Sequence, residues 1–161
     1  MATASDVNTA LVSRLYEAFK KLDAETMASC YHPEAHFEDE VFRLTGTDIA
    51  DMWRMLCAQA TGFELHYSNV ECDEITGSAH WEPSYDFSVT GRRVHNVIDA
   101  EFEFKDGLIY RHRDRFSFWR WSRQALGLPG VLFGWSGLIR NKVKQTANGN
   151  LRRFIEKSRR K

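Results

Sequence analysis

The chain has 161 residues, 43% of them hydrophobic and 27% charged, with 22 Lys/Arg against 22 Asp/Glu. That length suits one domain with a core of its own and excludes a two-domain enzyme with a separate nucleotide-binding half. The composition excludes a disordered chain, and no apolar run approaches the roughly 20 residues of a membrane span.

Val7, Leu11, Leu15, Ala18 and Leu22 recur at helical spacing and predict an amphipathic helix over 5–21. Asp23 reads as the N-cap of a short second helix that ends near Tyr31, before His32-Pro33. Residues 35–41 alternate with period two and predict a strand in which Ala35, Phe37 and Val41 share a face with Asp39. Thr47 is expected to cap a third helix carrying Ile49, Met52, Trp53, Leu56 and Cys57, with Gly62 ending it.

The second half reads as strands. Phe63, Leu65 and Tyr67 begin one, and Ala79, Trp81, Tyr85, Phe87 and Val89 mark the next. Thr90-Gly91-Arg92 reverses the chain into a third, where Val94, Asn96, Ile98, Ala100, Phe102 and Phe104 lie on one face. After the tight hairpin at Lys105-Asp106-Gly107, a fourth strand runs to about Trp119. Leu108, Tyr110, His112, Asp114, Phe116 and Phe118 share one of its faces, and Arg111, Arg113 and Arg115 line the other. Consecutive hairpins give an antiparallel sheet with one covered face, and helices that precede and cover it give an α+β fold. Beyond Trp119 the pattern is helical to Leu126, breaks at Gly127-Leu128-Pro129-Gly130 and resumes near Ser136, with Asn148-Gly149-Asn150 expected to interrupt it. The expected division is a pocket domain over 1–120 and a helical basic extension over 121–161.

The zero net charge hides an asymmetry. Residues 1–139 hold 13 Lys/Arg and 21 Asp/Glu, whereas residues 140–161 hold nine Lys/Arg and only Glu156. Such a tail either lies on the acidic body or a partner subunit, or contacts a nucleic acid or an anionic membrane. It lacks aromatic interleaving apart from Phe154, and no nucleic-acid-binding signature precedes it, so a nucleic acid is not expected. Three Cys without CxxC spacing, and an N-terminus without the layout of a secretory signal, lead to the expectation of a cytoplasmic location.

Helix, short helix, acidic strand, helix and a long antiparallel meander together resemble the nuclear-transport-factor-two-like superfamily, in its SnoaL-like and ketosteroid-isomerase-like branch. The residues that carry the resemblance are 31–39, Phe104-Lys105-Asp106-Gly107-Leu108-Ile109 and Arg111-His112-Arg113-Asp114-Arg115-Phe116, within a match over about 5–120. The resemblance implies a curved sheet wrapped on the N-terminal helices as a cone-shaped barrel around an apolar pocket, and often a homodimer. Among ketosteroid isomerases, Asp39 matches the general base. Leu15 falls at the oxyanion Tyr with Tyr16 one residue away, and Ala100 rather than Asp99 falls at the second Asp. Among limonene-epoxide hydrolases, Asp114 matches one catalytic carboxylate, while the Arg and second Asp fall near Trp81 and Pro83. The pattern least contradicted is that of the polyketide cyclases, an acid/base Asp in an apolar pocket.

The candidate catalytic set is therefore Asp114, His112, Asp39, Tyr85 and Asn96. His112 and Asp114 are two apart on a strand and point the same way. Tyr85 and Asn96 supply donors for an enolate oxygen. Trp81, Phe37, Trp53, Phe102, Tyr110 and Phe116 are the candidate substrate-binding residues. The alternative at Asp114 is a carboxylate paired for structural reasons, beside a satisfied core histidine. His32 and His36 have metal-like spacing only on a helix, which Pro33 breaks, so no metal is expected, and without a P-loop or dinucleotide motif no cofactor is expected. Two functions remain open: a cofactor-independent isomerase, cyclase or dehydratase acting on a small apolar carbonyl compound, and a non-catalytic ligand-binding or dimerisation module.

Overall fold

The computed structural model describes residues 1–161. Helix α1 spans Ala4–Lys20 and starts from a reciprocal cap: Thr3 Oγ1 accepts from the Asp6 amide at 3.1 Å, and the Asp6 carboxylate accepts from the Thr3 amide at 2.9 Å. Helix α2, Ala24–Ser29, is capped by Asp23, whose carboxylate accepts from the Thr26 amide. Strand β1 (Tyr31–Glu38) follows, then a short β2 (Arg43–Thr45) and helix α3 (Thr47–Gln59). Gly46 stands at the N-cap of α3, so Thr47 lies inside the helix and does not cap it.

Strands β3 (Glu64–Cys72), β4 (Thr76–Asp86), β5 (Arg93–His95), β6 (Ile98–Lys105) and β7 (Leu108–Arg115) complete a seven-stranded sheet. The order is β2-β1-β7-β6-β4-β3, with β5 paired to β4. The architecture is α+β, as the hydropathy pattern implies. The sheet curves without closing, and one of its pairs is parallel: β1 runs alongside β7. The expected third strand is divided into β5 and β6 at Asn96-Val97, and β2 lacks any pattern long enough to read. The β6–β7 hairpin turns on Asp106 and Gly107, both at positive φ, which is the backbone that Asp-Gly favours.

The two faces of the sheet separate as alternation demands. Val94, Asn96, Ile98, Ala100 and Phe102 are buried. The opposite face is a ladder of exposed ion pairs, Glu103–Arg111, Glu38–Arg113 and Glu101–Arg115. Helices α1 and α3 cover the buried face with Leu11, Val12, Leu15, Phe19, Ile49 and Met52.

The chain after β7 forms α4 (Phe118–Leu126), α5 (Leu128–Phe133) and α6 (Gly137–Arg159). Leu128-Pro129-Gly130 opens a helix here, because Pro is tolerated in a first turn. Helix α6 passes through Asn148-Gly149-Asn150 unbroken. Tertiary anchoring offsets the weak propensity: Asn148 Nδ2 donates to the Val41 carbonyl at 3.2 Å, and Leu151 is buried in the main core. No helix is long and apolar enough to cross a membrane.

Candidate active site

Between the concave sheet, α3 and α6 lies a cavity of about 550 Å3 with a predominantly apolar lining. Phe37, Trp53, Trp81 and Phe116 line it, together with Asp39, Tyr85, Asn96 and Asp114. Ile139, Val143 and Ala147, spaced four apart on α6, form one wall, with Lys142 beside them.

Asp114 is 4% exposed. Its Oδ1 accepts from Trp81 Nε1 at 3.1 Å and is joined to His112 Nε2 at 2.9 Å. Its Oδ2 has no protein partner. His112 Nδ1 meets the Tyr31 hydroxyl at 2.8 Å, and Trp53 Nε1 donates to that hydroxyl at 3.1 Å. Trp53 can only donate, so the Tyr31 oxygen accepts from it. If the Tyr31 proton goes to His112 Nδ1, the histidine proton sits on Nε2 and faces Asp114, and every polar hydrogen in the chain is used. With the opposite tautomer the Tyr31 hydrogen has no acceptor. Satisfying the network therefore orients the whole relay, Trp53 to Tyr31 to His112, toward one carboxylate oxygen. His112 is wedged against Phe102 and Phe37, with ring centroids 4.5 Å and 5.0 Å away.

Asp39 lies just past the end of β1, in the turn to β2. Its Oδ1 accepts from the amides of Val41 at 2.7 Å and Phe42 at 2.6 Å. Removal from bulk water pushes its pKa up to about 6. The two amides oppose that rise, and the charge of Asp114 adds to it. Tyr85 accepts from Trp121 Nε1 at 2.8 Å, leaving its own hydrogen free to donate. Burial keeps its phenol above the usual range, against the Trp121 bond and with the help of the Asp39 charge. Asn96 Oδ1 accepts only from the neighbouring Val97 amide, and its NH2 has no protein partner.

The predicted residues therefore divide. Asp114, Asp39, Tyr85, Asn96, Trp81, Phe37, Trp53 and Phe116 line one cavity. His112 and Phe102 stand behind Asp114 and do not reach the lining. Tyr110 is displaced altogether. The β6–β7 register shifts between Glu103↔Arg111 and Phe104↔Ile109, so a bulge turns Ile109 into the core and swings Tyr110 outward. There Tyr110 packs between His32 and His36 and beneath Lys105. Asp99 lies on the outer face, bonded to His80 at 2.8 Å, and Ala100 pairs with Asp114 inside.

Two residues outside the predicted set join the site. Tyr31 completes the relay. Tyr16 is fully buried 5.7 Å from Trp81, its hydroxyl has no partner, and burial together with the Asp114 charge holds its phenol well above the ordinary value. Both lie on elements that reach Asp114 only through the tertiary fold.

A family model described as a SnoaL-like domain matches residues 12–112. The chain belongs to this family. Solved structures agree at the level of fold. An LEH-like epoxide hydrolase from M. tuberculosis superposes with a TM-score of 0.66 at 20% identity, covering 81% of this chain and 98% of that one. A protein with a ketosteroid isomerase-like fold from Catenulispora acidiphila gives 0.65 at 12% identity, over 78% and 96%. A proposed polyketide cyclase from Silicibacter sp. TM1040 gives 0.64 at 15% identity, over 76% and 98%. No curated protein matches the chain. Within this SnoaL-like frame no arginine lines the cavity, and Trp81 and Pro83 occupy the wall where the epoxide-hydrolase resemblance would require an Arg and an Asp.

Proposed function

We propose that this SnoaL-like protein is a cofactor-independent acid/base enzyme that moves a proton on a small apolar carbonyl compound. The reading rests on one arrangement. Asp114 has one oxygen fixed by Trp81 and His112, while the other has no donor at the wall of an apolar cavity. A carboxylate oxygen held still and left without a donor is free to accept a proton from carbon.

Asp114 Oδ2 removes a proton from the carbon next to the carbonyl, and the electron pair moves onto the carbonyl oxygen. Tyr85 O–H and the Asn96 amide donate to the resulting enolate oxygen. Asp39, protonated below about pH 6, returns a proton to the substrate. Delivered to another carbon, the Asp39 proton gives an isomerase; delivered to the oxygen of a second carbonyl as the enolate carbon attacks it, a cyclase; delivered to a β-hydroxyl that leaves as water, a dehydratase. The aromatic walls suit a flat ring compound, and no resident cofactor takes part.

The test is exchange of the α-protons of 2-tetralone in D2O, followed by proton NMR. Wild-type protein should accelerate the exchange. Asp114→Asn should reduce it by about a thousandfold while the circular dichroism spectrum is kept. Binding of the ketone by wild-type protein without any exchange would identify a ligand-binding module instead. Full exchange activity in the Asn variant would remove Asp114 from the mechanism.

A further inference from the structure

The surface formed by α5 and the start of α6 is apolar and exposed. Leu128, Val131, Leu132, Phe133, Trp135 and Leu138 are between 46% and 80% exposed within eleven consecutive residues. The helix cannot roll to bury them, because its inner side is glycine seated on α4. A Cβ at Gly130 would collide with the Ser122 backbone carbonyl, and one at Gly134 with the Ser122 hydroxyl. The large side chains are thereby held outward.

The chain that carries this patch bears charge of a single sign. Residues 115–155 contain eight Lys/Arg and no Asp or Glu. Of the eight, only Arg115 and Arg140 pair with a carboxylate. Arg120 and Arg123 flank the patch on α4, and Lys142 and Lys144 follow it on α6. A second copy docked face to face would set these cations against themselves, because a two-fold interface matches each surface with its own kind. An aromatic and aliphatic cluster flanked on both sides of the chain by cations without a carboxylate partner is instead complementary to a bilayer with an anionic headgroup layer.

We propose that α5 and the beginning of α6 form a membrane-docking surface that inserts into the interface of an anionic lipid bilayer. The patch adjoins the cavity: Leu126 before it, Pro129 within it, and Ile139 and Lys142 after it line the cavity wall. Docking would set the cavity rim against the acyl region, giving an apolar ligand a route that avoids water. The docking itself does not depend on the chemistry proposed above.

The test is co-sedimentation of the full chain with phosphatidylcholine vesicles, with and without about 30% phosphatidylglycerol, and sedimentation velocity in parallel. Binding to the anionic vesicles should exceed binding to the neutral ones by about tenfold, and should weaken as salt rises from about 0.05 M to about 0.5 M. Leu132→Glu with Trp135→Glu should abolish it, while Ile75→Glu, at an exposed apolar residue elsewhere, should leave it unchanged. Three results would overturn the proposal. One is absence of vesicle binding at low salt. A second is undiminished binding by the double variant, which would reduce the effect to the basic tail alone. The third is loss, in that variant, of self-association or of retention on polyglutamate instead of lipid, which would give the patch to a second copy or to an acidic protein.

Discussion

Asp39 and Asp114 share a cavity but differ in what holds them. Asp39 has two backbone amides and no cationic partner, so its charge is a liability that burial exposes. Its ordinary pKa is 3.8, raised to about 6 in the fold. The native state therefore holds this proton more tightly than the unfolded chain does. Stability from this group is greatest below about pH 4, declines as pH rises toward 6, and is flat above that. The loss is at most about 3 kcal/mol, reduced by any water admitted to the cavity. Asp39→Asn keeps an oxygen for both amides and discards the charge. It should melt higher than wild type at pH 7.5 and at about the same temperature at pH 4, measured by calorimetry across that range. A variant less stable at pH 7.5 would reveal a cationic partner for Asp39. The inward set of Asp114, Asn96 and His112 was legible in sequence, because period-two alternation assigns a face without knowledge of the neighbours. Tyr31 was not. It reaches His112 through the parallel β1–β7 pair, and a contact between residues 81 positions apart leaves no local signal.

At the scale of elements, the helices and strands of the first 120 residues follow from periodicity and caps, whereas the departures follow from tertiary demands. The bulge opposite Glu103 sends Tyr110 outward, and an extra residue in a ladder cannot be seen in a hydropathy pattern that continues to alternate on both sides. Helix α5 was hidden because Gly and Pro normally end helices, and its glycines serve instead as the contact with α4. The α4–α5 contact can be probed at one atom. Gly130→Ala places a methyl group against the Ser122 carbonyl, which is backbone and cannot rotate away. The substitution raises helix propensity, so an isolated helix would gain. Here it should destabilise by about 1–3 kcal/mol, the usual range for overpacking, read from urea unfolding. Gly137→Ala, with open space around the added carbon, should be neutral or slightly stabilising and serves as the control.

For the molecule as a whole, the C-terminal helix is the element that turns a curved sheet into an enclosure. The sheet does not close on itself, so without α6 the cavity would lack the wall made by Ile139, Val143 and Ala147. Two anchors tie this helix to the body: Leu151 in the core and Asn148 on the Val41 carbonyl, in the turn that carries Asp39. The same helix supplies much of the positive charge beside the exposed apolar patch, so one element both walls the cavity and shapes the outer surface. Leu151→Asp puts an unpaired carboxylate at the buried anchor, at a cost that exceeds the gain from docking one amphipathic helix. The body, with its own core under α1 and α3, should stay folded while α6 detaches. Limited trypsin digestion should then cut rapidly after Lys142 and Lys144, which the intact α6 should shield in wild type, as read by mass spectrometry. In the same sample, line broadening of 2-tetralone should report about tenfold weaker binding, because the apolar wall is gone while Asp114, His112 and Tyr31 keep their places. Unchanged binding with α6 released would mean that the sheet and α3 hold the ligand unaided.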